Sequence, residues 1–261
     1  MSKNVIIITG ASSGMGMEFA RQMDRGFSNI DEFWLIARNR DRLEKLAEEL
    51  NHKTKVFAMD VTDRNSIDRL EQELQKRNIV VRILINCAGY GIMGTFDKLD
   101  REQTLGMVRL NCEALTDMTY RMLPFMRKNS RIIQLASSAA FMPQPDFAVY
   151  AASKAYVHSF SRAIQAELVD RDIYVTSVCP GPVDTPFFDI AEKDGTTLAV
   201  KKMTMVQPER VVALALRDSY YRRPISVCSF PIKAFHVAAK AVPHGLILKG
   251  LLVLKKLAIL K

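Results

Sequence analysis

Cysteine is scarce in this chain. The four thiols, Cys87, Cys112, Cys179 and Cys228, are far apart and form no CxxC pair. That excludes a zinc ribbon, a redox dithiol and a disulfide scaffold, and it fits a reducing compartment. Long apolar runs are missing too. The run near the N-terminus, Val5 to Thr9, ends at Gly10 and falls short of the roughly 7–15 apolar residues of a secretory signal. No stretch of about 20 uncharged apolar residues occurs, so no spanning helix is expected and a cytoplasmic location is the default. The histidines, His52, His158, His236 and His244, lack metal-ligand spacing, and no metal is expected. His158 is expected at the surface or an interface. With 48% hydrophobic and 25% charged residues and no low-complexity linker, the chain is of ordinary globular composition, which excludes intrinsic disorder.

Acidic residues run out before the chain does. Asp218 is the last, and eight of the 37 cations lie beyond it, leaving 29 to balance 28 carboxylates. The net charge of +9 is therefore a property of the tail. An all-over basic surface of the kind that binds nucleic acid is excluded.

What is present is an alternation of strand-like and helix-like segments over the 261 residues. Strands are expected at Val5–Thr9, Phe33–Ala37, Lys55–Met59, Arg82–Asn86, Arg131–Leu135, Tyr174–Cys179 and Ile225–Phe230. Their short, β-branched, apolar runs suit strands buried on both faces. Helical spacing follows at Met15–Arg25, and a capping box of Asp41 and Glu44 opens a second helix. Asp63 caps a third, Arg101–Arg127 forms one long stretch, and further helices cover Tyr150–Asp170 and Pro208–Tyr221. Such alternation implies an α/β, Rossmann-like, doubly wound and mostly parallel seven-stranded sheet with helices on both faces. Ligands in such folds bind at the carboxyl ends of the strands. Residues 1–231 are expected to form one catalytic domain, with a substrate lid at about 182–206. Residues 232–261 form a basic, apolar extension rather than a separate domain.

The first strand leads into Thr9-Gly10-Ala11-Ser12-Ser13-Gly14-Met15-Gly16. Glycines here permit positive φ and close approach of a pyrophosphate, and the following helix offers free N–H groups to it. Three glycines between a strand and a helix can also be only a tight turn. The second strand ends in Ala37-Arg38-Asn39-Arg40, with no carboxylate for a ribose 2′-hydroxyl. Arg38 can grip a 2′-phosphate instead, which favours NADP(H) over NAD(H); a solvated basic turn is the other reading. Tyr150 and Lys154 stand at i and i+4, one helical turn apart. An ammonium beside a phenol lowers its pKa and makes a proton donor and acceptor for an alcohol or ketone, although YxxxK alone is common by chance.

In order along the chain, the TGxxxGxG of Thr9–Gly16, Asp60-Val61, Asn86-Cys87-Ala88-Gly89, Asn111, the serine after the fifth strand, Tyr150/Lys154 and Pro180-Gly181 resemble the short-chain dehydrogenase/reductase family in its compact form. The match spans roughly residues 4–185. This resemblance implies that Tyr150 is the general acid/base, that Lys154 lowers its pKa and holds the nicotinamide ribose, and that Asn111 joins a proton relay. It also implies Ser137 as the serine that bonds the substrate oxygen, with Ser138 as the neighbouring alternative. Cofactor contacts are expected from Thr9, Gly10, Ser12, Ser13, Gly14, Met15, Gly16, Arg38, Asp60, Val61, Asn86, Ala88, Gly89, Tyr150, Lys154, Pro180, Gly181, Val183 and Thr185. Cys87 departs from the family's usual second Asn, and Ala140 from its frequent Gly.

The segments expected over the substrate are apolar and methionine-rich. Tyr90, Met93, Phe141, Met142, Phe187 and Phe188 are expected to line the pocket, with Phe96, Ile190, Leu198, Met203 and Met205 nearby. A bulky hydrophobic ketone or alcohol suits such a mouth, and packing of the lid is the alternative. The expected function is an NADP(H)-preferring oxidoreductase of hydrophobic carbonyls or secondary alcohols, hydroxysteroid dehydrogenase-like, or else a 3-oxoacyl or aryl-ketone reductase. A cofactor-binding sensor or membrane scaffold is the reading from another class. The family resemblance implies a homodimer or homotetramer. The tail, Leu246–Lys261, mixes Leu, Ile and Val with four lysines. It suits the body, a partner subunit or a membrane surface.

Overall fold

The computed structural model describes residues 2–191 and 205–259. Seven parallel strands form one sheet: β1 (Lys3–Thr9), β2 (Glu32–Ala37), β3 (Thr54–Ala58), β4 (Ile79–Asn86), β5 (Arg131–Leu135), β6 (Tyr174–Val178) and β7 (Ile225–Ser226). Their order is β3-β2-β1-β4-β5-β6-β7. The chain winds outward from β1 in one direction and from β4 in the other, so the switch point lies between these two strands. Helices α1 (Gly14–Gly26), α2 (Arg40–Glu49) and α3 (Arg64–Lys76) connect the first half of the sheet. The second half uses α4 (Arg101–Val108), α5 (Leu115–Met122), α6 (Ala148–Glu167), the short α7 (Phe187–Ala191) and α8 (Pro208–Tyr220). Two more helices follow β7: α9 (Phe230–Ala241) and α10 (His244–Ile259).

The period of two along β1 divides the core. Val5 and Ile7 join one cluster with Trp34, Leu84 and Met118, whereas Ile6 and Ile8 join another with Phe19, Leu35 and Val212. All four β1 residues are fully buried, as a strand covered on both faces requires.

Three expectations need correction. The second helix begins at Arg40 and is capped by Asn39, whose side chain accepts from the Arg42 N–H, so no capping box of Asp41 and Glu44 forms. Glu44 pairs with Arg40 instead, at 3.4 Å. The long Arg101–Arg127 stretch is broken by a π-helical segment, Arg109–Ala114, that carries Asn111. The seventh strand is only two residues long, because Ser229 at φ +93° turns the chain into α9 at Phe230. Asp63 does cap its helix, accepting from Asn65, and Pro208 does open α8.

Candidate active site

The carboxyl ends of β1, β4, β5 and β6 converge on one cleft of about 200 Å³. Among the described residues its walls include Met15, Gly89, Ser137, Tyr150, Lys154, Pro180, Gly181, Val183, Thr185, Phe187 and Phe188. Residues spread over the chain thus meet at the switch-point end of the sheet.

The first turn sits where the backbone is tightest. Gly10 has φ +67°, and a Cβ there would come within 2.8 Å of the Ala88 nitrogen, so only glycine fits between β1 and the turn after β4. Gly14 stands against Thr185. Ser13, at the N-cap of α1, makes no side-chain cap bond, which leaves its hydroxyl and the helix N–H groups available to an anion. Thr9 plays a different part from the one expected. It is 2% exposed, and its hydroxyl accepts from the N–H groups of Cys87 and Ala88, both at 3.1 Å. It ties β1 to β4 rather than facing a ligand.

Tyr150 and Lys154 lie buried on the first turns of α6. Phe147 stacks on the Tyr150 ring with centroids 4.2 Å apart, and Phe187 approaches it at 5.4 Å. The Lys154 Nζ donates to the Leu135 carbonyl at 2.7 Å and lies 5.7 Å from the centre of the Tyr150 ring. No carboxylate pairs with it among the described residues. Burial pulls the Lys154 ammonium down to about 8, against a small opposing effect of the thiols Cys87, Cys112 and Cys179. Burial pushes the Tyr150 hydroxyl up to about 12, although a hydrogen bond with Ser137 opposes it. The lowered phenol expected from YxxxK is therefore not the state of this structure: desolvation outweighs the Ser137 hydrogen bond.

Asn111 is fully buried and locked from both sides. Its Nδ2 donates to the Tyr90 carbonyl at 2.9 Å and to the Ser153 hydroxyl at 3.0 Å, and its Oδ1 accepts from the Tyr90 N–H at 3.1 Å. The Ser153 hydroxyl in turn donates to the Tyr150 carbonyl at 2.7 Å. The π segment is what swings Asn111 inward, a common use of such bulges. Gly89 lies under this network, where a Cβ would meet the Asn111 Oδ1 at 2.9 Å and the Lys154 Nζ at 3.3 Å. Ser137 is the N-cap of a short turn, Ser138–Phe141, and its hydroxyl accepts from the Ala139 N–H at 3.1 Å. Both serines border the cleft, but only Ser137 is hydrogen-bonded to Tyr150.

Other expected residues lie around this centre. Arg38 is exposed at the end of β2 and forms no ion pair among the described residues. Asp60 holds the turn after β3, accepting from the Thr62 N–H and hydroxyl at 2.8 and 2.7 Å, beside buried Val61. Asn86 faces the interior rather than the cleft: its Nδ2 donates to the Thr119 hydroxyl at 3.0 Å.

The expected substrate pocket is only partly assembled. Phe187 and Phe188 line the cleft. Tyr90 and Met93 pack in the cluster of Tyr150 and Met107 and are not among the cleft's walls. Phe141 and Met142 turn away and join a cluster with Phe235 and Ala239 of α9. Phe96 is 68% exposed. Leu198 and Met203 lie outside the described residues, as does most of the expected lid, and the Ile190 side chain is not described. His158, expected at the surface or an interface, is half-buried: its Nδ1 faces the Ser177 hydroxyl at 3.0 Å, and its ring meets Phe141. Ser153, Phe147, Gln144 and Gly91 were not singled out from the sequence. A signal existed for Ser153, which lies between Tyr150 and Lys154. None existed for the stacking of Phe147 or for Gly91, whose Cβ would strike the Tyr150 ring at 2.6 Å.

Comparison with known proteins agrees with this geometry. Residues 4–195 match the family model of the short chain dehydrogenases. The chain is 32% identical over 209 residues to an uncharacterized oxidoreductase of Staphylococcus epidermidis, covering 79% of this chain and 87% of that protein. It is 35% identical over 181 residues to a very-long-chain 3-oxoacyl-CoA reductase of Neurospora crassa, covering 65% of this chain and 53% of that protein. Among solved structures, a short-chain dehydrogenase from Sphingobium yanoikuyae in complex with NADPH superposes with a TM-score of 0.77 at 26% identity, covering 94% of this chain and 95% of that one. The match to the family model, carried on an all-parallel sheet with its cleft at the switch point, makes this chain a member of the short-chain dehydrogenase family, an oxidoreductase of alcohol and ketone groups.

Proposed function

We propose that this oxidoreductase interconverts a hydrophobic ketone and its secondary alcohol and prefers NADP(H). The observation that carries this reading is the meeting of Ser137, Tyr150 and Lys154 in one cleft whose mouth is lined by Phe187 and Phe188. Gly10, Ser12, Ser13, Gly14, Met15 and Gly16 would cradle the pyrophosphate at the α1 N-terminus. Asp60 and Val61 would border the adenine, and Ala88, Gly89, Pro180, Gly181, Val183 and Thr185 the nicotinamide half. The fit rests on the glycine at 89, the position where a side chain would collide with Asn111 and Lys154. The nicotinamide cofactor, when bound, supplies or takes up the hydride.

The chain's own residues handle the oxygen and its proton. Ser137 donates a hydrogen bond to the substrate oxygen, and Tyr150 transfers the proton there. With its hydroxyl pushed up to about 12, Tyr150 holds its proton at neutral pH, the state that ketone reduction requires. Lys154, at about 8, remains mostly charged at neutral pH and steadies the negative charge that develops on Tyr150 as the proton leaves. Asn111 and Ser153 fix the first turn of α6 and so hold Tyr150 in register.

Arg38 is read as the 2′-phosphate contact, since it is exposed and no carboxylate stands near it in the turn. Purified protein should oxidise NADPH faster than NADH with steroid, acyl and aryl ketones. Arg38→Ala should raise KM for NADPH about tenfold and leave NADH turnover unchanged. Equal loss with both cofactors sinks the assignment. A 3-oxoacyl substrate is the second reading, favoured by the likeness to the Neurospora crassa reductase. Retention of Ser137, Tyr150 and Lys154 in one cleft weighs against a sensor or scaffold. We read residues 1–231 as one catalytic domain and 232–261 as an extension that touches a membrane surface. A homodimer or homotetramer is supported by exposed Leu105 and Val108 on the short helix α4 and Tyr156 on the long helix α6.

A further inference from the structure

Helix α9 is two-sided. Ile232, Phe235, His236 and Ala239 recur at helical spacing and face the body. The His236 ring stacks on Phe141 at 4.2 Å, and Ile232 packs on Gly181, where a Cβ would meet its Cδ1 at 2.9 Å. These contacts fall on the two turns that flank the cleft. The opposite side carries Phe230, Lys233, Val237 and Lys240, all exposed, with Phe230 at 82% and Val237 at 66%. Helix α10 repeats the pattern: Leu246, Lys249, Leu252 and Val253 are exposed at spacings of three and four, with Leu246 at 61% and Val253 at 57%. Each outward face thus alternates large apolar side chains with lysines, and no acidic residue follows Asp218. Among the described residues no helix is long and apolar enough to cross a membrane.

We infer that the outward face of α9 and α10 docks on an anionic lipid surface, the apolar side chains entering the headgroup boundary and the lysines reaching back to the phosphates. Burial of the apolar residues and attraction of the cations act together only at such a surface. A second copy is a poor occupant, because a two-fold contact would set this face against itself and oppose its lysines. Nucleic acid would use the cations but leave Phe230, Val237 and Leu252 in water. Since the inner side of α9 rests on the Phe141 and Gly181 turns, docking brings the cleft to the lipid boundary. That deepens the oxidoreductase reading, on which it rests for substrate delivery alone, and assigns the substrate class as ketones dissolved in the membrane.

The full chain should cosediment with vesicles of phosphatidylcholine containing about one-third phosphatidylglycerol, and little with phosphatidylcholine alone. Combined Lys233→Glu, Lys240→Glu and Lys249→Glu substitutions should weaken binding about tenfold or more while leaving reduction of a water-soluble ketone unchanged. Val237→Ser with Leu252→Ser should remove the part of the binding that survives high salt. Equal binding to both vesicles, or to neither, overturns the inference. So does a concentration-dependent dimer that the triple lysine variant abolishes. Vesicle binding without turnover of any ketone overturns the enzyme reading and leaves the docking face. Undiminished turnover of a vesicle-borne long-chain ketone by the triple variant overturns the delivery role.

Discussion

The two ends of the sheet treat charge in opposite ways. At the amino ends Glu32 is 1% exposed and fully partnered: Arg77 donates to it at 2.7 and 3.0 Å, Lys3 at 2.9 Å and Trp34 at 3.2 Å. Burial alone would raise its carboxyl, yet these bonds hold it at about 2. At the carboxyl ends Lys154 is also buried but, among the described residues, has a backbone carbonyl in place of a carboxylate, and Tyr150 is buried beside it. Paired charge stabilises the fold, whereas unpaired charge leaves strain that chemistry can use. Size points the other way. The larger hollow, of about 620 Å³, lies at the amino ends beside Arg82 and Arg131. There the guanidinium of Arg131 is spent on the carbonyls of Asn129, Ser219 and Tyr220. The smaller cleft holds Ser137, Tyr150 and Lys154, the groups proposed to react.

The sharpest way to break this contrast is to remove one group from each end. Tyr150→Phe should cut turnover about 10²–10⁴-fold, with little change in melting temperature. Undiminished turnover sinks the mechanism. Glu32→Gln should do the reverse, costing about 2 kcal/mol, or roughly 4–8 °C in melting temperature, with kcat of the folded enzyme unaltered. A loss of kcat there erases the distinction between the two ends.

The smallest effect concerns His158, which lies between the Ser137 turn and the tail. Burial lowers it from 6.5 to about 4, and the cations Arg162 and Lys240 add to that. A histidine with a depressed folded pKa contributes stability that is complete above 6.5 and drains away as pH falls towards 4. Glu32 and Asp24, each held at about 2, lose their contributions only at lower pH. Melting temperature should therefore decline between pH 6.5 and 4, and His158→Gln should flatten that decline by an amount on the order of 1 kcal/mol. An identical slope in the variant assigns the decline to another group.

Much of this molecule could be read from local pattern. The β-branched runs and glycine turns placed all seven strands, and the order of motifs from Thr9 to Gly181 pointed to Ser137, Asn111, Tyr150 and Lys154 as neighbours. Periodicity and backbone sterics act over a few residues, so sequence determines them. Other features depend on what surrounds a residue. Asn39 rather than Asp41 caps α2 because the helix opens two residues earlier than the acidic residue suggests. The π segment at Arg109–Ala114 has no composition of its own, and yet it aims Asn111. Phe141 and Met142, apolar like the expected pocket residues, pack instead against α9, which is distant from them in the chain.

By itself, then, sequence determined the doubly wound sheet, the family and the candidate side chains of the cleft, since each is encoded by short-range spacing. Only the tertiary structure decided their state. Tyr150 carries a raised hydroxyl, Lys154 finds no carboxylate among the described residues, Thr9 binds strands together and the tail shows lysines to the outside. These are matters of desolvation and packing, which depend on residues distant in the chain.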